Sequence, residues 1–134
     1  MYRVVKIESF LRTQKVTLKN LNTNTIDICF DDSRVVSKEK SNEFMYHIGK
    51  KYDCKILIIG DISDENDKEA TSLYVLSEEK IGKKPMIKVS NEKDEYYISK
   101  CQNESLKIGT RFFYKIIRKD LIQVDKTIHN DYLQ

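Results

Sequence analysis

The chain has little of what most enzymes, metal proteins and membrane proteins carry. Its 134 residues include two histidines, three cysteines, four glycines and one proline. No apolar run approaches the roughly 20 residues that a transmembrane helix requires. The first residues, MYRVVK, lack the apolar segment of a signal peptide. We therefore expect no membrane span and no signal-peptide export, and we predict a cytoplasmic protein.

The cysteines and histidines do not predict a metal or catalytic site. Cys29, Cys54 and Cys101 form no closely spaced ligand pair, and His47 lies far from His129 in the sequence. The chain has no phosphate-binding glycine loop, no H-E-x-x-H and no G-x-S-x-G. A nucleophile pair of Cys54 with His47 is one alternative, but Cys54 falls on the inward face of a predicted strand, where thiols are usually inert. We predict a non-enzymatic protein without metal or cofactor.

The apolar residues occur in short runs typical of β-strands. They make up 40% of the chain and include eight tyrosines and five phenylalanines, which is enough for a packed core. Alternation of apolar and polar residues places Val16 and Leu18 on the core side of one strand. In the next strand it puts three apolar residues on one face: Ile26, Ile28 and Phe30.

One nine-residue pattern occurs twice. Residues 48–56 read IGKKYDCKI and residues 108–116 read IGTRFFYKI. Each glycine stands at the start of an apolar, β-prone run, and the aromatic residue three positions later is expected to pack inward. The pattern predicts four residues buried at equivalent places: Tyr52, Ile56, Phe112 and Ile116.

The pattern predicts an all-β fold made of two similar halves. Each half reads as a three-strand meander, a connection and a glycine-led strand, with at most one short helix, in residues 37–48. We predict two four-stranded meander or small-barrel units, derived from an internal duplication and packed as one compact domain. Residues 1–60 form the first unit, and residues 73–134 form the second with a polar C-terminal tail. An acidic connector, residues 61–72, joins them.

The candidate binding surface is the outer face of the two glycine-led strands. Its cations and aromatic residue are Lys51, Lys55, Arg111, Phe113, Lys115 and Lys119, and Tyr97 is added because one ring of Tyr96-Tyr97 should face solvent. Cations interleaved with aromatics hold single-stranded nucleic acids in small β-barrels. Any half-solvated antiparallel strand also carries cations outward, and a net charge of +3 is weak for a nucleic-acid binder.

Two functions remain as hypotheses. The tyrosine content and the lack of a catalytic site favour a protein–protein interaction module of adaptor, inhibitor or immunity type, whose partner the sequence does not identify. The alternative is an OB-like protein that binds single-stranded nucleic acid through the outer face. That likeness is an analogy of fold, which does not by itself imply function.

Overall fold

The computed structural model describes residues 1–36 and 42–134. In this part of the chain almost all regular structure is β, and ten strands form one sheet. The strands are β1 (Tyr2–Ser9), β2 (Gln14–Asn20), β3 (Ile26–Asp31), β4 (Lys51–Tyr52), β5 (Cys54–Ser63), β6 (Thr71–Ile81), β7 (Lys84–Ser90), β8 (Glu95–Ser99), β9 (Arg111–Val124) and β10 (Thr127–Ile128). The described residues also include one α-helical turn, α1 (Ser33–Val36), and a short 3₁₀ helix (Asn130–Tyr132). The prediction of a mostly β protein is confirmed.

A short helix precedes the range 37–48 in which one was predicted. It occupies Ser33–Val36, directly after β3, because the Asp31 side chain accepts a hydrogen bond from Ser33 N at 2.9 Å and turns the chain. Of the predicted range 37–48, residues 37–41 lie outside the described residues, and residues 42–48 contain no α-helix.

Strand β9 organises the sheet. The strands pair in the order β4-β1-β2-β3-β9-β5-β8-β7-β6, and β9 pairs in addition with β6 and β10. The two predicted units therefore share one sheet. The Gly49-led run is divided at Asp53 into the short β4 and the long β5. β5 runs antiparallel to the Gly109-led strand β9, from Cys54 opposite Val124 to Ser63 opposite Phe113. β3–β9 and β5–β8 pair in parallel, each through a single residue pair.

The two pattern glycines make matching hydrogen bonds. Gly49 N donates to Val4 O at 2.8 Å, and Gly109 N donates to Val75 O at 2.9 Å. Their φ angles are +87° and +86°, in the region that favours glycine. Each glycine thus starts its strand beside the first strand of its own half.

The main core draws on both halves. Val16, Leu18, Ile56 and Phe112 are buried in it, as the sequence pattern predicts. Tyr52 and Ile116 are only partly buried but pack against the same core. Both faces of β8 are covered, so Tyr96 and Tyr97 are both buried and the expectation of one solvent-facing ring is wrong.

The loops are shorter than the sequence suggested. β5 continues to Ser63 and β6 begins at Thr71, so the acidic connector is reduced to residues 64–70. β6 continues to Ile81 and β7 begins at Lys84, so these two strands are joined by a two-residue hairpin turn.

Candidate functional site

The predicted basic face does not form a single stripe. Because β5 and β9 are antiparallel, equivalent positions of the two patterns lie at opposite ends of their ladder: Lys55 is opposite Gln123, and Lys115 is opposite Asp61. At ~3.3 Å per residue, the length of β9 between these two points is about 26 Å. Lys51 is exposed on the short strand β4, and Phe113 is half-buried.

Two of the predicted cations are engaged by neighbouring side chains. Lys115 Nζ lies 2.9 Å from a carboxylate oxygen of Glu69. The Arg111 guanidinium lies 4.9 Å from the ring centre of Tyr74 and donates a hydrogen bond to its hydroxyl. The ion pair with Glu69 offsets the positive charge of Lys115, and the contact with Tyr74 restricts the Arg111 side chain. Both effects make these cations less available to a phosphate.

Lys119 belongs to a buried polar network. Its ammonium lies 2.5 Å from Asp27 Oδ1 and 5.5 Å from the ring centre of Tyr96. The Tyr96 hydroxyl donates to the same carboxylate, at 3.0 Å to Oδ2. Burial, followed by the charge and hydrogen bond of Asp27, raises the pKa of Tyr96 well above its ordinary value. This network joins β3, β8 and β9 and therefore has a structural role.

Lys55 and Tyr97 are the two predicted residues that the structure brings together. The Lys55 ammonium lies 5.6 Å from the Tyr97 ring centre. Both line a polar cleft of about 400 Å³ beside β5 and β8, together with Lys88 and Lys93. Four carboxylates line the same cleft, so its charge does not favour an anionic ligand: Asp53, Asp94, Glu95 and Asp125.

The wall of this cleft contains a buried carboxylate that is fully engaged in the fold. Asp94 accepts hydrogen bonds from the Thr23 and Thr25 hydroxyls, at 2.6 and 2.7 Å, and from Asn20 Nδ2 at 3.2 Å. These bonds fasten the β2–β3 turn to the β7–β8 turn. The carboxylate holds two loops together and places negative charge beside Lys55.

A second groove, between β3 and β9, has both apolar and charged side chains in its walls. It has a volume of about 700 Å³, and its walls include Ile26, Ile28 and Ile117. These side chains are 51, 60 and 67% exposed. We name these three residues the isoleucine groove. Four charged residues line the same groove: Lys15, Glu69, Arg118 and Lys119.

The sequence pattern predicted which residues share a face of β3, but it did not predict which of the two faces packs against the core. Asp27, Cys29 and Asp31 face the interior, and the isoleucines face solvent. The inward orientation is held by side chains that come from elsewhere in the chain. Tyr46 OH donates to Asp31 Oδ2 at 2.6 Å, as Lys119 does to Asp27.

His129 anchors the C-terminal tail. Its Nε2 lies 2.5 Å from Asp32 Oδ1, and its Nδ1 accepts a hydrogen bond from Asp131 N at 3.1 Å. In the neutral ring the proton therefore lies on Nε2, and both ring nitrogens are engaged by neighbouring groups. Burial lowers the pKa of His129, but the hydrogen bond and charge of Asp32, with the charges of Asp131 and Asp31, outweigh it and raise the pKa. We name this contact between His129 and Asp32 the tail clasp.

The environment of the Cys54 thiol disfavours a Cys54–His47 nucleophile pair. Burial, then the charges of Asp125 and Asp53, raises the pKa of Cys54 to about 12, so the thiol is protonated at neutral pH and is a poor nucleophile. Across residues 1–36 and 42–134, no three or more His, Cys, Asp or Glu side chains are grouped to hold a metal ion. The described residues also include no helix with the length and apolar character to cross a membrane.

Comparison with known proteins does not assign the chain to a family. No protein-family model, curated protein or solved structure matches it.

Proposed function

We propose that this is a non-enzymatic protein-binding module, of adaptor, inhibitor or immunity type, and that its interface is centred on the isoleucine groove. The observation that carries the proposal is the exposure of Ile26, Ile28 and Ile117 in one concave site. Single exposed apolar residues are ordinary, but contiguous apolar patches mark interaction surfaces. A concave site that combines apolar walls with a small number of placed polar groups is the usual form of a binding pocket.

The distribution of charge favours a protein partner over a nucleic acid. Lys119 and Lys115 are paired with Asp27 and Glu69, and Arg118 donates two hydrogen bonds to Asp120, at 2.6 and 2.8 Å. Nucleic-acid affinity depends on cations that replace counterions along the phosphates. Cations that already neutralise carboxylates contribute less to that term.

We also propose that the two halves, residues 1–60 and 73–134, are duplicated small-barrel units that share β5 and β9, in a cytoplasmic protein. Matching pairings support the duplication: Tyr2 is opposite Tyr52, and Leu73 is opposite Phe112. The matching bonds of the two pattern glycines support it as well.

The test of the binding module is a pair of matched variants. Ile28→Asp/Ile117→Asp places two carboxylates in the groove, whereas Ile48→Asp/Ile108→Asp makes the same change at isoleucines that are both 62% exposed and do not line it. A partner captured from the host by the parent protein is identified, purified and titrated against each variant. We expect at least a tenfold loss of affinity for the groove variant and no loss for the control, since one unpaired buried charge costs several kcal/mol. Equal affinities for the two variants would place the interface elsewhere.

An OB-like single-stranded nucleic-acid binder is the second candidate, and the Lys55–Tyr97 contact is the observation that favours it. A quadruple charge reversal to Glu, at Lys51, Lys55, Arg111 and Lys115, should leave the fold largely intact, because exposed ion pairs contribute little. If this function holds, oligonucleotide affinity in the parent falls by roughly 0.7 log units per log unit of salt for each phosphate contact. The variant would then lose binding. We expect no oligonucleotide binding by the parent at low salt.

A further inference from the structure

The chain's own C-terminal tail covers an apolar surface of the second half. Ile81, Met86, Tyr97 and Ile122 are buried there, and Leu57, Ile128 and Tyr132 pack against them. We name this group the outer cluster. Two of its members, Ile128 and Tyr132, come from the tail. The tail is held by His129, and by a hydrogen bond from Lys83 N to Tyr132 O at 2.7 Å.

The register of the strands locates the corresponding surface of the first half. The hairpins β1–β2 and β6–β7 each carry one register shift, between Val4 and Lys6 and between Val75 and Ser77. The third strand of each half has the same register relative to the second. In β2–β3, Thr17 is opposite Ile28, and in β7–β8, Lys88 is opposite Tyr97. Leu57 and Ile117 each follow their pattern glycine by eight residues. Four residues of the outer cluster thus have counterparts: Ile81 corresponds to Phe10, Met86 to Lys15, Tyr97 to Ile28 and Leu57 to Ile117.

These counterparts are uncovered. Ile28 and Ile117 belong to the isoleucine groove, and Phe10 is 54% exposed. Lys15 connects them, because it lines the groove and its ammonium lies 5.9 Å from the Phe10 ring centre. The turn of this hairpin differs in the same way: Leu11 is 98% exposed, whereas its counterpart Gly82 lies so close to Tyr132 O that a Cβ would meet it at 2.2 Å.

The segment that occupies the tail's position in the first half has a different composition. After β9 comes the tail with Ile128 and Tyr132, and after β5 comes the acidic loop of residues 64–70. From this loop Glu69 reaches the groove wall, where it pairs with Lys115. The first half therefore presents the surface that the tail covers in the second half, without the aliphatic and aromatic side chains that cover it.

Building on the proposed function, we infer that the isoleucine groove and Phe10 receive a short segment of a partner protein that resembles the tail. The segment carries an aliphatic residue, an aromatic residue four positions later, and a carboxylate between them. The tail supplies this chemistry with Ile128, Asp131 and Tyr132. The carboxylate is placed to meet Lys15, because the other two cations of the groove, Arg118 and Lys119, already pair with Asp120 and Asp27.

A synthetic peptide of residues 126–134, labelled at its N-terminus, is the probe. We expect saturable binding to the full chain below 1 mM, weakened at least tenfold by Ile28→Asp/Ile117→Asp and unchanged by the control Ile48→Asp/Ile108→Asp. Peptides with Ile128→Ala/Tyr132→Ala, or with Asp131→Lys, should bind at least tenfold and at least threefold more weakly, respectively. No binding up to 1 mM, or equal binding of all peptides, overturns the inference.

Because the peptide can also displace the chain's own tail, its site is mapped by amide NMR. Shifts at Ile28 and Ile117 support the inference, and shifts confined to Leu57 and Tyr97 overturn it. Light scattering tests a second copy as the occupant: a dimer that Ile28→Asp/Ile117→Asp converts to a monomer also overturns the inference. If the purified partner binds through the groove but the peptide does not, the inference fails and the proposed function stands. If the partner binds the Ile28→Asp/Ile117→Asp variant as tightly as it binds the parent protein, the proposed function fails.

Discussion

The Lys119 ammonium lies 2.5 Å from the carboxylate of Asp27, whose side chain has no exposed surface. Lys119 is on β9 and Asp27 is on β3, so this ion pair ties together strands that share only one registered residue pair. A buried carboxylate requires a cation and hydrogen-bond donors. The pair therefore turns the Asp27 face of β3 inward and leaves Ile26 and Ile28 on the surface.

Removal of the cation should be more damaging than removal of the acid. We expect Lys119→Met to lower the free energy of unfolding by ~3–5 kcal/mol, because it leaves Asp27 buried without a counter-charge. Asp27→Asn should cost less, since the partly exposed Lys119 can turn to solvent. Urea unfolding measures both. In the double variant Asp27→Leu/Lys119→Met the loss should be largely recovered; a loss equal to the sum of the single losses would contradict a coupled pair.

Phe112→Ala should lower the free energy of unfolding by ~3–5 kcal/mol, the usual cost of an aromatic core truncation. Phe112 is buried and packs edge-on against Tyr114, with ring centres 6.0 Å apart. Tyr52→Ala at the corresponding position should cost less, because Tyr52 is only partly buried. Denaturant titration of both variants checks the order, and a loss below ~1 kcal/mol for Phe112→Ala would contradict the packing.

Two glycines should respond to alanine for different reasons. A Cβ on Gly60 would lie 1.9 Å from Lys115 O, so Gly60→Ala must push apart the β5–β9 ladder. A Cβ on Gly49 meets nothing within 4 Å, and only its positive φ opposes the change. We expect a loss of ~1–2 kcal/mol for Gly49→Ala from backbone strain and a larger loss, or failure to fold, for Gly60→Ala. Thermal unfolding that ranks Gly49→Ala as the worse variant would contradict this geometry.

The tail clasp should weaken as pH rises. The pKa of His129 is raised in the fold, so its contribution is complete below the unfolded value of about 6.5. That contribution is lost as pH rises through the folded pKa. The hydrogen bond from His129 lowers the pKa of Asp32, so the contribution of Asp32 is lost only as pH falls through that lower value. The tail should therefore be held most firmly at pH values above the lowered pKa of Asp32 and below the raised pKa of His129.

Hydrogen exchange of the Lys83 amide, which is bonded to Tyr132 O, reports on the tail. Its protection factor should fall as pH rises from 6 to 8, while that of the Val75 amide, bonded to Thr110 O in the sheet, should not. Asp32→Asn should abolish the pH response. A constant Lys83 protection factor across this range in the parent would show that the clasp does not titrate.

Much of the candidate site depends on contacts that local sequence does not specify. The alternation in residues 26–30 identified two faces of β3, but the direction of each face depends on Lys119 and Tyr46, which are distant in sequence. The prediction of a single basic stripe depended on the relative direction of β5 and β9. Their antiparallel pairing separates Lys55 from Lys115.

The sequence by itself determined the β-rich composition, the inward positions Val16, Leu18, Ile56 and Phe112, and the two glycine-led strands. These follow from period-two alternation and from the steric freedom of glycine, which act over a few residues. Only the tertiary structure decided that the two halves share one sheet and that the tail covers one apolar surface while its counterpart stays open. Those outcomes depend on which distant side chains neutralise a buried carboxylate or cover a strand, and such pairings arise only when the whole chain is packed.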